Sequence, residues 1–200
     1  MKFNIIRFLL HGSEIVMKMS NHPSVIQSQQ WIYESLIKLM QEKSFNSISI
    51  GEITKLADLD RTTFYRNFDS KEDILNVGIS NIKNKYIKAL NNSQSLTMDY
   101  VSYVFFNICY EEIDLLKLLH SHGLSSLLLD QFNDILPQLH ISVKNKFHYQ
   151  INDEYMIFAL YYNTGGFLNI LMKWIEGGCT ESTDELVSSF IEISKFNFSK

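Results

Sequence analysis

Apolar residues recur along this chain at the three-to-four-residue spacing of amphipathic helices, and no useful run follows the two-residue alternation of a strand. From Pro23-Ser24 to about Lys43, the residues Ile32, Leu36, Leu39 and Met40 form one stripe of a long helix, with Trp31 read as packing. Ile50, Ile53 and Ala57 share one face of a short helix, and Phe64 and Phe68 stand four apart on another. From Ser70 to about Leu90, Ile74, Val77 or Gly78, Ile82 and Tyr86 predict a second long helix with Lys83, Lys85 and Lys88 outward. Further helices are expected at about 97–110, 112–121, 124–147, 153–176 and 183–197. Pro137 should kink or split the third of these. The chain therefore reads as all-α.

Start and stop signals sharpen the pattern. Ser49 with Glu52, and Ser182 with Glu185, have the spacing of capping boxes; Ser70 with Asp73 repeats it. Asp60 is a cap for the helix that follows. Gly123, Gly177 and Gly178 are natural stops. Between Ser49 and Ser70 this gives two short helices joined by a tight turn. The second is held from behind by two Phe and turns Arg61, Thr62, Tyr65 and Arg66 outward. A helix-turn-helix presents its recognition helix to a DNA major groove in this way.

The run Ile53-x3-Ala57-x5-Thr63-Phe64-Tyr65-x2-Phe68-x2-Lys71-Glu72-x2-Leu75 resembles the signature of the tetracycline-repressor (TetR) family of bacterial transcription regulators. The motif covers roughly residues 25 to 75; the remainder resembles the family only as a helical domain of suitable length. Asp58 stands where the family usually has Gly after the turn Ala, and Asp is among the few residues that tolerate a left-handed backbone. The resemblance implies an N-terminal three-helix helix-turn-helix DNA-binding domain followed by a helical regulatory and dimerisation domain. By resemblance and by helix face, Arg61, Thr62, Thr63, Tyr65, Arg66 and Asn67 should meet bases or phosphates of a double-stranded operator. Gly51 should let backbone approach the duplex, and Lys71 should meet phosphate.

Charge supports this division of labour. Residues 1–90 carry 12 Lys+Arg against 9 Asp+Glu, net +3; residues 91–200 carry 6 against 13, net −7, which together give the overall −4. Only Arg7, Arg61 and Arg66 are arginines, and two of them lie on the proposed recognition helix. Asn91-Asn92-Ser93-Gln94-Ser95 reads as a linker. The expected domains are therefore 1–22 (extension or arm), 23–91 (DNA-binding) and 92–200 (ligand-binding and dimerisation). The apolar patch from Phe3 to Leu10 is too short to cross a bilayer and lacks a cleavage site. Either the natural start is Met17 or Met19, or this segment is an extra N-terminal helix or an arm, which could bring Lys18 to a minor groove. Cys109 and Cys179 lie far apart without metal spacing and read as reduced thiols of a cytoplasmic protein.

Catalytic patterns are lacking: no Gly-rich phosphate loop after a strand, no Gly-x-Ser-x-Gly, no His-Glu-x-x-His. Glu111 and Glu112 are adjacent, so their side chains diverge on a helix. His120 and His122 read as a helix end rather than zinc ligands with Cys109. No enzyme activity, metal, cofactor or membrane partner is expected. Tyr103, Phe106, Tyr110, Phe158 and Tyr161 are candidates to line a pocket for a small apolar or aromatic effector, neutral or cationic, since no Arg follows Arg66. The resemblance implies that the last two helices pair with those of a second subunit, with Phe167, Leu171, Trp174 and Phe190 as candidate interface residues. The expected protein is a homodimeric, ligand-responsive repressor on a palindromic operator. The alternative is a helical small-molecule-binding or protein-interaction module that does not bind DNA.

Overall fold

A computed structural model describes residues 23–143, 145–146 and 153–198, and their regular elements are helices. In order these are α1 (Pro23–Glu42), a 3-10 turn (Phe45–Ser47), α2 (Ile50–Leu56), α3 (Arg61–Asn67) and α4 (Lys71–Asn92). Then follow α5 (Met98–Glu111), α6 (Ile113–Ser121), α7 (Ser125–Val143), α8 (Asp153–Glu176) and α9 (Thr183–Phe198). The all-α expectation holds. The apolar patch and the proposed arm at 1–22 lie outside the described residues. Contacts group the chain into two compact units that divide between Ile79 and Ser80, within α4. The polar stretch 91–95 therefore lies inside the second unit.

The first unit is built on Ile32, Leu36 and Met40 of α1, Ile53 of α2, Phe64 and Phe68, and Ile74, Leu75 and Ile79 of α4, all buried. Phe45 and Ile48 close it from the connecting turn. α2 ends in a Schellman arrangement: Leu59 N–H donates to Thr54 O at 2.9 Å and Asp58 N–H to Lys55 O at 3.3 Å. Asp58 takes φ 54° to make that turn, where the related motif carries Gly. α6 and α8 end in the same way, with Gly123 and Gly178 at the left-handed position, φ 69° and 84°.

In the second unit α7 packs on α8 and α5 on α9. Its centre is aromatic. Phe105 stacks on Phe167 at 5.1 Å between ring centroids, and Tyr86 meets Phe105 edge-on at 5.8 Å. Pro137 does not split α7, which runs through it as one helix. A single missing N–H leaves neighbouring turns intact when the helix is fastened by packing, here through Leu128, Phe132, Leu136 and Leu139. The stretch after α4 is tied down as well. Leu96 is buried and its N–H donates to Lys146 O at 2.9 Å. Lys146 Nζ donates in turn to Leu90 O at 3.2 Å and Asn91 O at 2.6 Å, a cation on the open carbonyls of a helix C-terminus. Lys83, expected outward, is half-buried and donates to Gln131 Oε1 at 3.0 Å; burial lowers its pKa. Lys85 does face out, paired with Glu111 and Glu112 at 2.9 and 2.8 Å.

Asp58 carries the strain of the turn alone, since L-residues pay for a left-handed backbone and Gly does not. Asp58→Gly should stabilise the first unit by about 0.5–1 kcal/mol. Urea unfolding checks this: a higher midpoint at unchanged slope is the expected outcome.

Candidate functional site

Seven residues are too few for a helix to persist on its own, so α3 exists through its attachments. At its start Asp60 Oδ1 accepts the Thr63 N–H at 2.6 Å, and that bond holds the carboxyl below its ordinary pKa. Behind it, Phe64 and Phe68 are buried with ring centroids 6.1 Å apart. With those two faces fixed, Arg61, Thr62, Tyr65 and Arg66 are exposed. Thr63 and Asn67 are half-buried, and Asn67 Nδ2 donates to Thr63 O at 2.7 Å. The Tyr65 ring stands edge-on against Phe64 at 5.2 Å, so its phenol is held at a defined angle on the open face.

α2 is locked to the same unit. Its capping box is formed: Ser49 N–H donates to Glu52 Oε2 at 2.9 Å and Glu52 N–H to Ser49 Oγ at 3.3 Å. Lys43 pairs with the same carboxylate, and this contact first, then the Ser49 bonds, pulls Glu52 down to about 2. Gly51 sits beneath the Arg61 guanidinium. A Cβ there would stand 2.6 Å from a guanidinium nitrogen and 3.5 Å from Cζ. The bare backbone at 51 is what lets Arg61 lie across α2.

Lys71 has a structural task that the sequence does not announce. Its Nζ donates to Phe45 O at 2.8 Å and Ile48 O at 2.7 Å, and stands 4.5 Å from the centre of the Phe45 ring. Two of its three ammonium donors are thus engaged inside the unit. Trp31 is not packing: it is exposed and lines a shallow cleft of about 390 Å3 with Glu34, Ser35, Lys38, Leu56, Ala57 and Asp58.

The second unit holds a cavity of about 1100 Å3. Its floor is Tyr86, Phe132, Leu136, Met156 and Phe167, all buried, and its rim includes Phe158, Tyr162 and Ile193, all exposed. Of the five aromatic residues expected to line a pocket, Phe158 does so. Phe106 is fully buried in the aromatic centre, while Tyr103, Tyr110 and Tyr161 lie exposed and off the cavity. The sequence hint that was missed is Asn163-Thr164-Gly165-Gly166, a polar and small stretch inside an apolar helix. The four candidate interface residues face inward: Phe167, Leu171, Trp174 and Phe190 are buried within the single chain, Leu171 at 0% exposure. Phe167 meets Phe190 at 4.5 Å, so they hold α8 to α9 within the chain.

Cys109 is buried and its thiol pKa is pushed up by burial. His120 Nδ1 lies 3.2 Å from Ser125 Oγ and Nε2 3.9 Å from Glu176 Oε1. Among the described residues no cluster of His, Cys, Asp or Glu forms a metal site, and no helix is long and apolar enough to cross a membrane.

A capped short helix, fixed by two buried rings and showing arginine, threonine and tyrosine outward on a second capped helix, defines a helix-turn-helix DNA-binding protein. Residues 32–77 match the family described as bacterial regulatory proteins, tetR family, and residues 97–195 match a transcriptional regulator C-terminal region. The chain belongs to the tetR family of transcription regulators. Solved structures that share its fold include two transcription regulators. The dihydroxyacetone kinase operon activator DhaS is 21% identical with a TM-score of 0.56, the match covering 83% of this chain and 93% of that one. The fatty acid degradation regulator FadR from Bacillus halodurans is 17% identical with a TM-score of 0.56, covering 84% and 92%. Comparison with curated proteins finds no match.

The bonds of Lys71 give a direct expectation. Lys71→Met keeps the stem and removes the ammonium, and should destabilise the protein by about 1–3 kcal/mol, the worth of hydrogen bonds from a charged group. Urea unfolding in the absence of DNA checks it; a lysine serving only phosphate would leave that curve in place.

Proposed function

We propose that this regulator is a ligand-responsive repressor that binds a palindromic operator as a homodimer. The observation that carries the DNA side is the exposed face of α3. Two guanidiniums, a hydroxyl and a phenol are held outward by a buried anchor, and burying such groups against protein without partners is unfavourable. In this reading Arg61, Thr62, Tyr65 and Arg66 meet bases or phosphates, and Thr63 and Asn67 line the edge of the contact. Gly51 sets the direction of Arg61, and Lys71 offers its remaining donor to phosphate. The cavity in the second unit is the effector site. An effector changes operator affinity only if it binds two domain arrangements unequally.

The dimer is assigned to the outward face of α8. Tyr155, Phe158 and Tyr162 are 66%, 63% and 62% exposed, and with Gly165 and Asn169 they repeat at the three- and four-residue steps of a helix-pairing seam; Phe158, Tyr162 and Asn169 also border the cavity, so this seam runs along its mouth. Ile193 of α9 adds to the exposed apolar surface. Gly165 has open space where its Cβ would be. A side chain there is harmless to one subunit and obstructs a second helix laid on the seam.

Binding to DNA upstream of its own gene, followed against salt, tests the first assignment. Arg66→Ala should cost about 1–3 kcal/mol of specific binding if it reads a base. If Arg61 and Arg66 instead meet phosphate, the double change to Ala should weaken all sequences evenly and lower the salt slope by about one per contact. Unchanged affinity and slope in the double variant would remove α3 from the interface. The sign of regulation is read from a reporter: expression rising when the regulator is deleted supports repression, and falling expression supports activation. For the dimer, Gly165→Glu should keep the helical content and shift the sedimenting species from dimer to monomer, with operator binding lost in parallel. A wild-type protein that sediments as a monomer at micromolar concentration would overturn the homodimer.

A further inference from the structure

The cavity of the second unit carries more than its volume. Among the described residues its lining holds no Lys, Arg, His, Asp or Glu. An ion brought into such a space loses its hydration and gains no counter-charge, so the free energy of entry is strongly unfavourable. The size, about 1100 Å3, lies at the upper end of small-molecule sites.

Two hydroxyls in this lining are left open by the fold. Ser102, fully buried on α5, donates to Met98 O at 2.8 Å, one turn back along its own helix. Thr164 on α8 is 9% exposed and Tyr86 on α4 is 6% exposed, and neither hydroxyl makes a hydrogen bond to a described residue. Both residues line the cavity. Neither oxygen is sealed off from solvent, so each is open to a partner that enters the cavity. The Tyr86 ring is fixed between Phe105 and Phe132, at 5.8 and 5.9 Å, so its hydroxyl has a set position. Burial raises the pKa of the phenol, which keeps it a neutral donor at physiological pH. Threonine donates or accepts.

We propose that this cavity binds an uncharged, largely apolar molecule of long-chain or multi-ring size, whose carbonyl or hydroxyl group hydrogen-bonds to Tyr86 and Thr164, and that it excludes carboxylates and phosphate esters. This rests on the second unit being the effector-binding unit, and it narrows the effector from neutral or cationic to neutral.

The test uses the full chain without DNA and two fluorescent probes that differ in one sulfonate. N-phenyl-1-naphthylamine is neutral, and 8-anilino-1-naphthalenesulfonate is its anionic counterpart. The neutral probe should bind with blue-shifted emission, and the anionic one about tenfold or more weakly. 1-Dodecanol should displace the neutral probe, and dodecanoate should not. Tyr86→Phe and Thr164→Val keep the volume, and each should weaken dodecanol about two- to tenfold. Leu136→Trp fills the floor and should abolish probe binding. Equal binding of the two probes, displacement by dodecanoate as readily as by dodecanol, or no effect of the two hydroxyl deletions would each overturn the proposal. So would probe binding that survives Leu136→Trp in a protein of native helical content. Operator binding by the same preparation is scored separately, so a charged-ligand result leaves the DNA-binding assignment standing, and a failure to bind DNA leaves the cavity result intact.

Discussion

The burial of Phe64 is the contact on which the DNA-facing part of this protein depends. α3 has seven residues and no intrinsic stability to speak of. The Phe64 ring is fully enclosed among residues of the first unit, and Phe68 repeats the attachment one turn on. Once those two side chains are seated, helical geometry leaves no choice about what faces outward. The direction of Arg61, Tyr65 and Arg66 is a packing result before it is an electrostatic one. The caps at Ser49 and Asp60 set where the two short helices begin, and the left-handed turn at Asp58 sets the angle between them.

Much of the first unit was legible because its signals are local. A capping box needs two residues three apart, and a core stripe needs apolar side chains one turn apart; both are visible in a string of letters. The turn at Asp58 was legible for the same reason. Lys71 was not, because its partners are the carbonyls of Phe45 and Ile48, more than twenty residues earlier, and every residue type has a carbonyl. Trp31 was misjudged as packing because an aromatic within an amphipathic helix carries no mark of which side of the stripe it will occupy.

The second unit was legible as helices and not as surfaces. Its helix limits followed from apolar periodicity and glycine stops, although α7 runs intact through Pro137. Which face of α8 points inward was not recoverable, since that helix is apolar on more than one side. Phe167, Leu171 and Trp174 make a convincing stripe, and so do Tyr155, Phe158 and Tyr162; burial alone separates them. The same ambiguity displaced the expected pocket. Aromatic enrichment marked the packed centre, where Phe106 lies, while the cavity is defined by where packing stops, near the small and polar residues 163–166.

The seat of Arg61 on Gly51 bears on how a regulator of this kind diverges. Residue 51 is on a different helix from the side chain it governs. A methyl group there would push the far end of a flexible arginine, at little expense to the fold, and re-aim it. If Arg61 reads the operator as proposed, operator preference would then drift through residue 51, while every residue of α3 stays the same. Two lineages with identical α3 sequences would read different sites, and a lookup of recognition-helix letters against base pairs would miss the cause.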